Sequence, residues 1–98
     1  TYYELGLTAC GNYYFNSEMV AALAFEHFTT ANPNDDPICG RKIKIVDPTS
    51  GKSILVNVVD KCEGCKKNDV DVSLTAFQQL RPLSVGRFIV YWDFVDYK

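Results

Sequence analysis

The run Val58-Val59-Asp60-Lys61-Cys62-Glu63-Gly64-Cys65, followed after five intervening residues by Asp71-Val72-Ser73-Leu74-Thr75-Ala76-Phe77, decides how this chain is read. An apolar strand ends in an aspartate, a Cys-x-x-Cys loop turns the chain, and a second aspartate opens a short helix. The pattern places two carboxylates near a loop that two cysteines can pin. Upstream, residues 53–60 are rich in Ile, Leu and Val with only Asn57 interrupting, as in a strand buried on one face and partly on the other. Residues 41–47 alternate polar and apolar through Lys42, Ile43, Lys44 and Ile45, then meet Asp47-Pro48-Thr49-Ser50-Gly51, so the two strands form a hairpin. Downstream, Ser73 is an N-cap, and Leu74, Phe77 and Leu80 recur at helical spacing, which predicts a helix over 74–80 that stops before Pro82. Residues 87–95 form the last strand, with Phe88, Val90, Trp92 and Phe94 on one face.

Composition sets wider bounds. The chain has 98 residues, which makes one domain over 1–98. A core of that size buries on the order of 60–65% of the unfolded chain's surface, so cross-links would help it. Its net charge of −2 argues against nucleic-acid binding, which depends on clustered Lys and Arg. No stretch approaches the roughly 20 apolar residues of a membrane helix. Starting at Thr1 rather than methionine, the sequence reads as a mature or trimmed form, secreted and monomeric. Asn32-Pro33-Asn34-Asp35-Asp36-Pro37 is dense in turn formers and reads as an exposed loop.

The four cysteines admit three pairings, and their positions alone do not choose among them. Three chemistries compete for the Cys62-x-x-Cys65 pair. A structural zinc site takes two such pairs or added histidines, and His27 is the single histidine. A redox pair wants a helix N-terminus in a βαβ setting, which is not evident. A plain disulfide in an oxidising compartment is the preferred reading. No metal or cofactor is implied.

Taken with Thr1-Tyr2-Tyr3, Ala9-Cys10-Gly11, Gly86-Arg87-Phe88 and Trp92, these motifs resemble the single-domain expansin-like proteins of the double-psi β-barrel superfamily. Loosenins, barwin-type and rare-lipoprotein-A-type domains and bacterial papain inhibitors of the same fold are similar. The resemblance implies an all-β fold, a six-stranded double-psi β-barrel with one or two short helices. It also implies that residues 19–24 are extended and 25–28 helical, although Glu18, Met19, Ala21, Ala22, Leu23 and Ala24 favour a helix by propensity. It pairs Cys10 with Cys39 and Cys62 with Cys65.

The same resemblance supplies candidate site residues. Asp71 matches the aspartate that acts as general acid in related small endoglucanases and is needed for wall loosening in expansins. Asp60 matches a second acidic position of that groove, while Thr1 and Tyr3 match its Thr-x-Tyr floor. The implied function is non-hydrolytic binding and loosening of cell-wall polysaccharide, with cellulose, chitin or peptidoglycan as partner. Inverting hydrolysis needs a second carboxylate roughly 6.5–9.5 Å from the acid, and Glu4 after Tyr2-Tyr3 leaves Asp71 with Glu4 as a possible pair. Residues 32–39 and Asp60-Lys61-Cys62 also look like papain inhibitors, which implies a papain-like cysteine protease as the alternative partner. Asn34, Asp35, Asp36, Glu63 and Gly64 are then the candidate inhibitory-loop residues. Tyr13, Tyr14 and Tyr97 lie near turns or the chain end as surface aromatics, and Trp92 belongs to the core.

Overall fold

Strand β1, Val20–Ala24, is buried along its whole length, which explains its small side chains: neither face has room for much beyond Ala, apart from Val20 and Leu23. Its alanines favour a helix in isolation. Hydrogen-bonding partners on both edges win instead, because a buried backbone must satisfy its N–H and C=O groups. A computed structural model describes residues 1–3, 6, 8–11, 13–14, 18–28, 36–62 and 64–95. In it β1 runs into a 3₁₀ turn at Phe25–His27, as the resemblance implies.

The remaining elements are β2 (Lys42–Val46), β3 (Ser53–Cys62), β4 (Val70–Val72), helix α1 (Leu74–Leu80), a second 3₁₀ turn at Leu83–Val85, and β5 (Tyr91–Phe94). The sheet is curled and mixed, in the order β4-β1-β3-β2-β5. β3 lies parallel to β1, whereas β2 pairs antiparallel with β3 and β5, and β4 antiparallel with β1. Lys42 and Lys44 point outward and Ile43 and Ile45 inward, as the alternation predicts. The core gathers Ala21, Leu23, Ile43, Ile45, Val56, Val58 and Phe77. Burying a side chain the size of Leu23 or Phe77 stabilises the fold by about 1.5–3 kcal/mol.

Four expectations need correction. The described residues contain five strands rather than six, because residues 1–3 meet β4 through a single parallel bridge between Tyr2 and Val72. Asp71 does not open the helix; it sits inside β4, and Ser73 provides the cap, its Oγ accepting from the Ala76 N–H at 3.3 Å. Asp60 does not end its strand, since Lys61 and Cys62 still pair with Leu23 and Ala24. The last strand shrinks to Tyr91–Phe94: the turn at Leu83–Val85 and the positive φ of Gly86 (73°) redirect the chain before it can pair.

Two devices tie the frame together. The Cys10–Cys39 disulfide, between residues 29 apart in sequence, straddles the middle of β3. There the Cys10 N–H donates to Val59 O at 3.2 Å and the Gly40 N–H to Val58 O at 2.8 Å. The second device is Asp47, which is fully buried in the β2–β3 turn. It accepts from Arg81 Nε at 2.7 Å and Nη2 at 3.0 Å, from the Thr49 N–H at 3.0 Å and from the Ser50 hydroxyl at 3.0 Å. Arg81 caps the end of α1 and lies over the Phe88 ring, so one carboxylate joins hairpin, helix and the segment leading to β5.

The Arg81 hydrogen bond, helped by Thr49 and Ser50, holds the Asp47 carboxyl well below the usual carboxylate range against the opposing effect of burial. A carboxyl whose folded-state pKa lies below its unfolded value of about 4 stabilises the fold above that pH, and the contribution fades as pH falls. Arg81→Met is therefore expected to be less stable than wild type at neutral pH, with the gap narrowing below about pH 4 as Asp47 protonates. Urea unfolding over an acid series measures it. For the disulfides, Cys10→Ser with Cys39→Ser should lower unfolding free energy by about 3.5 kcal/mol, and Cys62→Ser with Cys65→Ser by about 2 kcal/mol. Guanidinium titration of both double variants checks that ranking.

Candidate functional site

The register of β1 brings the two aspartates together. Ala22 pairs with Asp60 of β3 on one side and with Asp71 of β4 on the other. Directly paired residues share a face of the sheet, so both carboxylates project on the same side as the Ala22 methyl. Two strand spacings separate their backbones, roughly 9–10 Å. A larger residue at position 22 would fill the space between them.

Residues 1–3 supply the other half of the site. They run beside β4, with the Tyr3 N–H donating to Val72 O and the Val72 N–H to Thr1 O, each at 3.0 Å. Alternation then sends Thr1 and Tyr3 toward the carboxylates and Tyr2 inward, where its ring meets Phe77 edge-on at 4.8 Å between centroids. The Thr1 hydroxyl donates to Asp71 Oδ1 at 2.8 Å, and the Tyr3 phenol donates to Asp60 Oδ2 at 3.1 Å. Asp60 Oδ1 also accepts from the Ala9 N–H at 2.7 Å and the Lys61 N–H at 2.9 Å. Burial first, then the negative charge of Asp60 and its hydrogen bond, push the Tyr3 phenol far above its ordinary pKa, so it remains a donor.

All four groove residues read from the sequence, Thr1, Tyr3, Asp60 and Asp71, thus meet on one surface. Their hydrogen bonds constrain what they can do. Asp60 is occupied by three donors and acts first as a brace between β3, Tyr3 and the Ala9-Cys10 turn. Glu4 lies outside the described residues, as do Asn34, Asp35, Glu63 and Tyr97. Asp36 is buried and accepts from the Ile38 N–H at 3.0 Å, so it shapes the turn before Cys39 instead of facing a partner. Gly64 is exposed. A cavity of about 490 Å³ opens between β4, α1 and residues 87–90, lined by Val70, Val72, Phe77, Leu80, Phe88 and Val90. Val70 and Val72 alternate with Asp71, so their face of β4 turns to this cavity, while Thr1, Asp69 and Arg87 also line it and Thr1 links its edge to the carboxylate surface.

Both disulfides pair as the family likeness implies, Cys10 with Cys39 and Cys62 with Cys65, and no cysteine among the described residues is free. No group of three or more His, Cys, Asp and Glu among the described residues is arranged to hold a metal ion. Of the aromatics, Tyr13 and Tyr91 are exposed and Trp92 is half-buried, its Nε1–H donating to Asn68 O at 2.8 Å. The partner contacts of His27, Trp92 and Arg87 around residues 64–69 went unread in the sequence. They join residues 18 to 40 positions apart, and the lone histidine gave no local sign of its partner.

No protein-family model matches the chain. It is 38% identical over 98 residues to the papain inhibitor of Streptomyces mobaraensis, covering 97% of this chain and 68% of that protein. The solved Streptomyces papain inhibitor superposes with a TM-score of 0.89 at 37% identity, over 98% of this chain and 89% of that one. An expansin of Clavibacter michiganensis in complex with cellohexaose matches at a TM-score of 0.81 and 22% identity, over 98% of this chain and 48% of that one, a likeness of fold alone. Sequence and architecture agree that this chain belongs to the papain-inhibitor family of double-psi β-barrel proteins.

Proposed function

We propose that this protein is a secreted inhibitor of papain-like cysteine proteases. The observation that carries the reading is the identity to a papain inhibitor along nearly the whole chain. The architecture supports it: two disulfides and the Arg81–Asp47 ion pair, its carboxylate buried, hold short loops on a rigid frame. Inhibition of this kind needs no reaction. A loop already in its bound conformation loses little freedom on entering a cleft, so modest contacts give useful affinity. Two disulfides also suit an extracellular compartment, where papain-like enzymes would be met in an oxidising environment.

Titrating active papain with the purified protein tests this directly. The expected outcome is residual peptide hydrolysis that falls to a stoichiometric endpoint. Full activity at micromolar protein would remove the reading.

The paired Thr1–Asp71 and Tyr3–Asp60 contacts favour a second reading, a surface that binds cell-wall polysaccharide without cleaving it. Sugar hydroxyls would exchange hydrogen bonds with Asp71, whose side chain holds only the Thr1 hydroxyl among the described contacts, more readily than with the triply engaged Asp60. Under this reading the wild type is retained on insoluble cellulose, chitin or peptidoglycan. Asp71→Asn is released while its papain titration is unchanged. Equal retention of both proteins would discard the carboxylate surface as a glycan site.

A further inference from the structure

We infer that the inhibitory contact is made by residues 64–69, whose paired exposed lysines face the protease cleft; this rests on the inhibitor reading above. Lys66, Lys67 and Asn68 are all exposed. Their backbone, by contrast, is held from several directions. The Cys62–Cys65 disulfide closes the start of the loop. Within it, the Asp69 N–H donates to Lys66 O at 2.9 Å, and the Lys66 N–H donates to Asp69 Oδ2 at 3.1 Å.

Two side chains from distant elements then grip consecutive carbonyls. His27 Nε2 lies 2.6 Å from Lys67 O, and because a carbonyl only accepts, this nitrogen carries the proton. Trp92 Nε1–H donates to Asn68 O at 2.8 Å. The two clamping rings also pack edge-to-face on each other, 5.5 Å between centroids, so each steadies the other. Arg87 pairs with Asp69 at 3.2 Å, which neutralises the one acidic side chain described in this loop.

The arrangement separates two jobs. The protein's own donors satisfy the carbonyls of 67 and 68, and the side chains of Lys66 and Lys67 are left to face outward as a double positive charge. Such an epitope is preorganised in its backbone and cationic in its contacts. Ordering the loop costs little on binding, and two exposed positive charges at a contact set how its association rate responds to salt. The other turn named in the sequence is less suited, because the carboxylate of Asp36 faces inward.

Association rate and inhibition constant toward papain, measured at low and at physiological ionic strength, test the assignment. Wild type is compared with Lys66→Glu/Lys67→Glu, Lys66→Arg/Lys67→Arg, Trp92→Phe and His27→Phe. Charge reversal should change the association rate roughly tenfold at low salt and reverse the sign of its salt dependence. The arginine pair should behave as wild type. Trp92→Phe and His27→Phe keep a ring but remove the clamping donor, and each should raise the inhibition constant roughly three- to tenfold through faster dissociation. Circular dichroism and melting temperature establish that each variant is folded. If the reversed variant inhibits as wild type does, the loop is not the contact although the inhibitor reading stands. If the wild type itself leaves papain untouched, the inhibitor reading and the loop assignment fall together.

Discussion

Pairing of β1 on both edges is the constraint from which the rest of the molecule follows. A strand buried on both faces and hydrogen-bonded on both sides admits little but small apolar residues, and Val20–Ala24 supplies them. Its middle alanine spaces Asp60 from Asp71, and its last residue pairs with Cys62 at the root of the disulfide loop. Its exit into the 3₁₀ turn carries His27 to the carbonyl of Lys67. Carboxylate surface and pinned loop are therefore positioned by the same five residues. A shift of β1 by one residue would turn its side chains over and misplace both.

Much of this was readable where the signal is local. The β2–β3 hairpin follows from alternating lysines and isoleucines around Asp47-Pro48-Thr49-Ser50-Gly51, and α1 follows from Ser73 with its three apolar residues at helical spacing. β1 was readable only through family likeness, since its alanines favour a helix until two neighbouring strands claim its backbone. Asp71 was located by motif but given the wrong local setting: three residues, Val70–Val72, are too few to declare a strand by alternation. The Asp47–Arg81 pair and the grip of His27 and Trp92 on residues 67 and 68 could not be read. Each joins side chains far apart in sequence, and nothing near either partner marks the other.

The two proposed surfaces differ in how their polar groups are used. Around Asp60 the donors belong to the protein itself, so the carboxylate mainly holds Tyr3, Ala9 and Lys61 in place. Around residues 66–68 the internal bonds stop at the backbone, and the charged side chains remain in solvent. A shared barrel can thus serve different partners by changing which side chains its own hydrogen bonds consume, and fold likeness to an expansin leaves function to be argued from the surface.

The parallel pairing of β1 with β3 has a kinetic side. Val20 must find Asn57 across the intervening chain, and no short turn can bring them together. Non-local pairings of this kind demand loop closure before any contact rewards it, which places the protein among slow-folding topologies. The link between Cys10 and Cys39 shortens that search, because it holds the chain ahead of β1 beside the chain entering β2. An oxidised chain should accordingly regain its native state faster than a reduced one, because the cross-link has already closed part of the loop that β1 and β3 must otherwise close unaided.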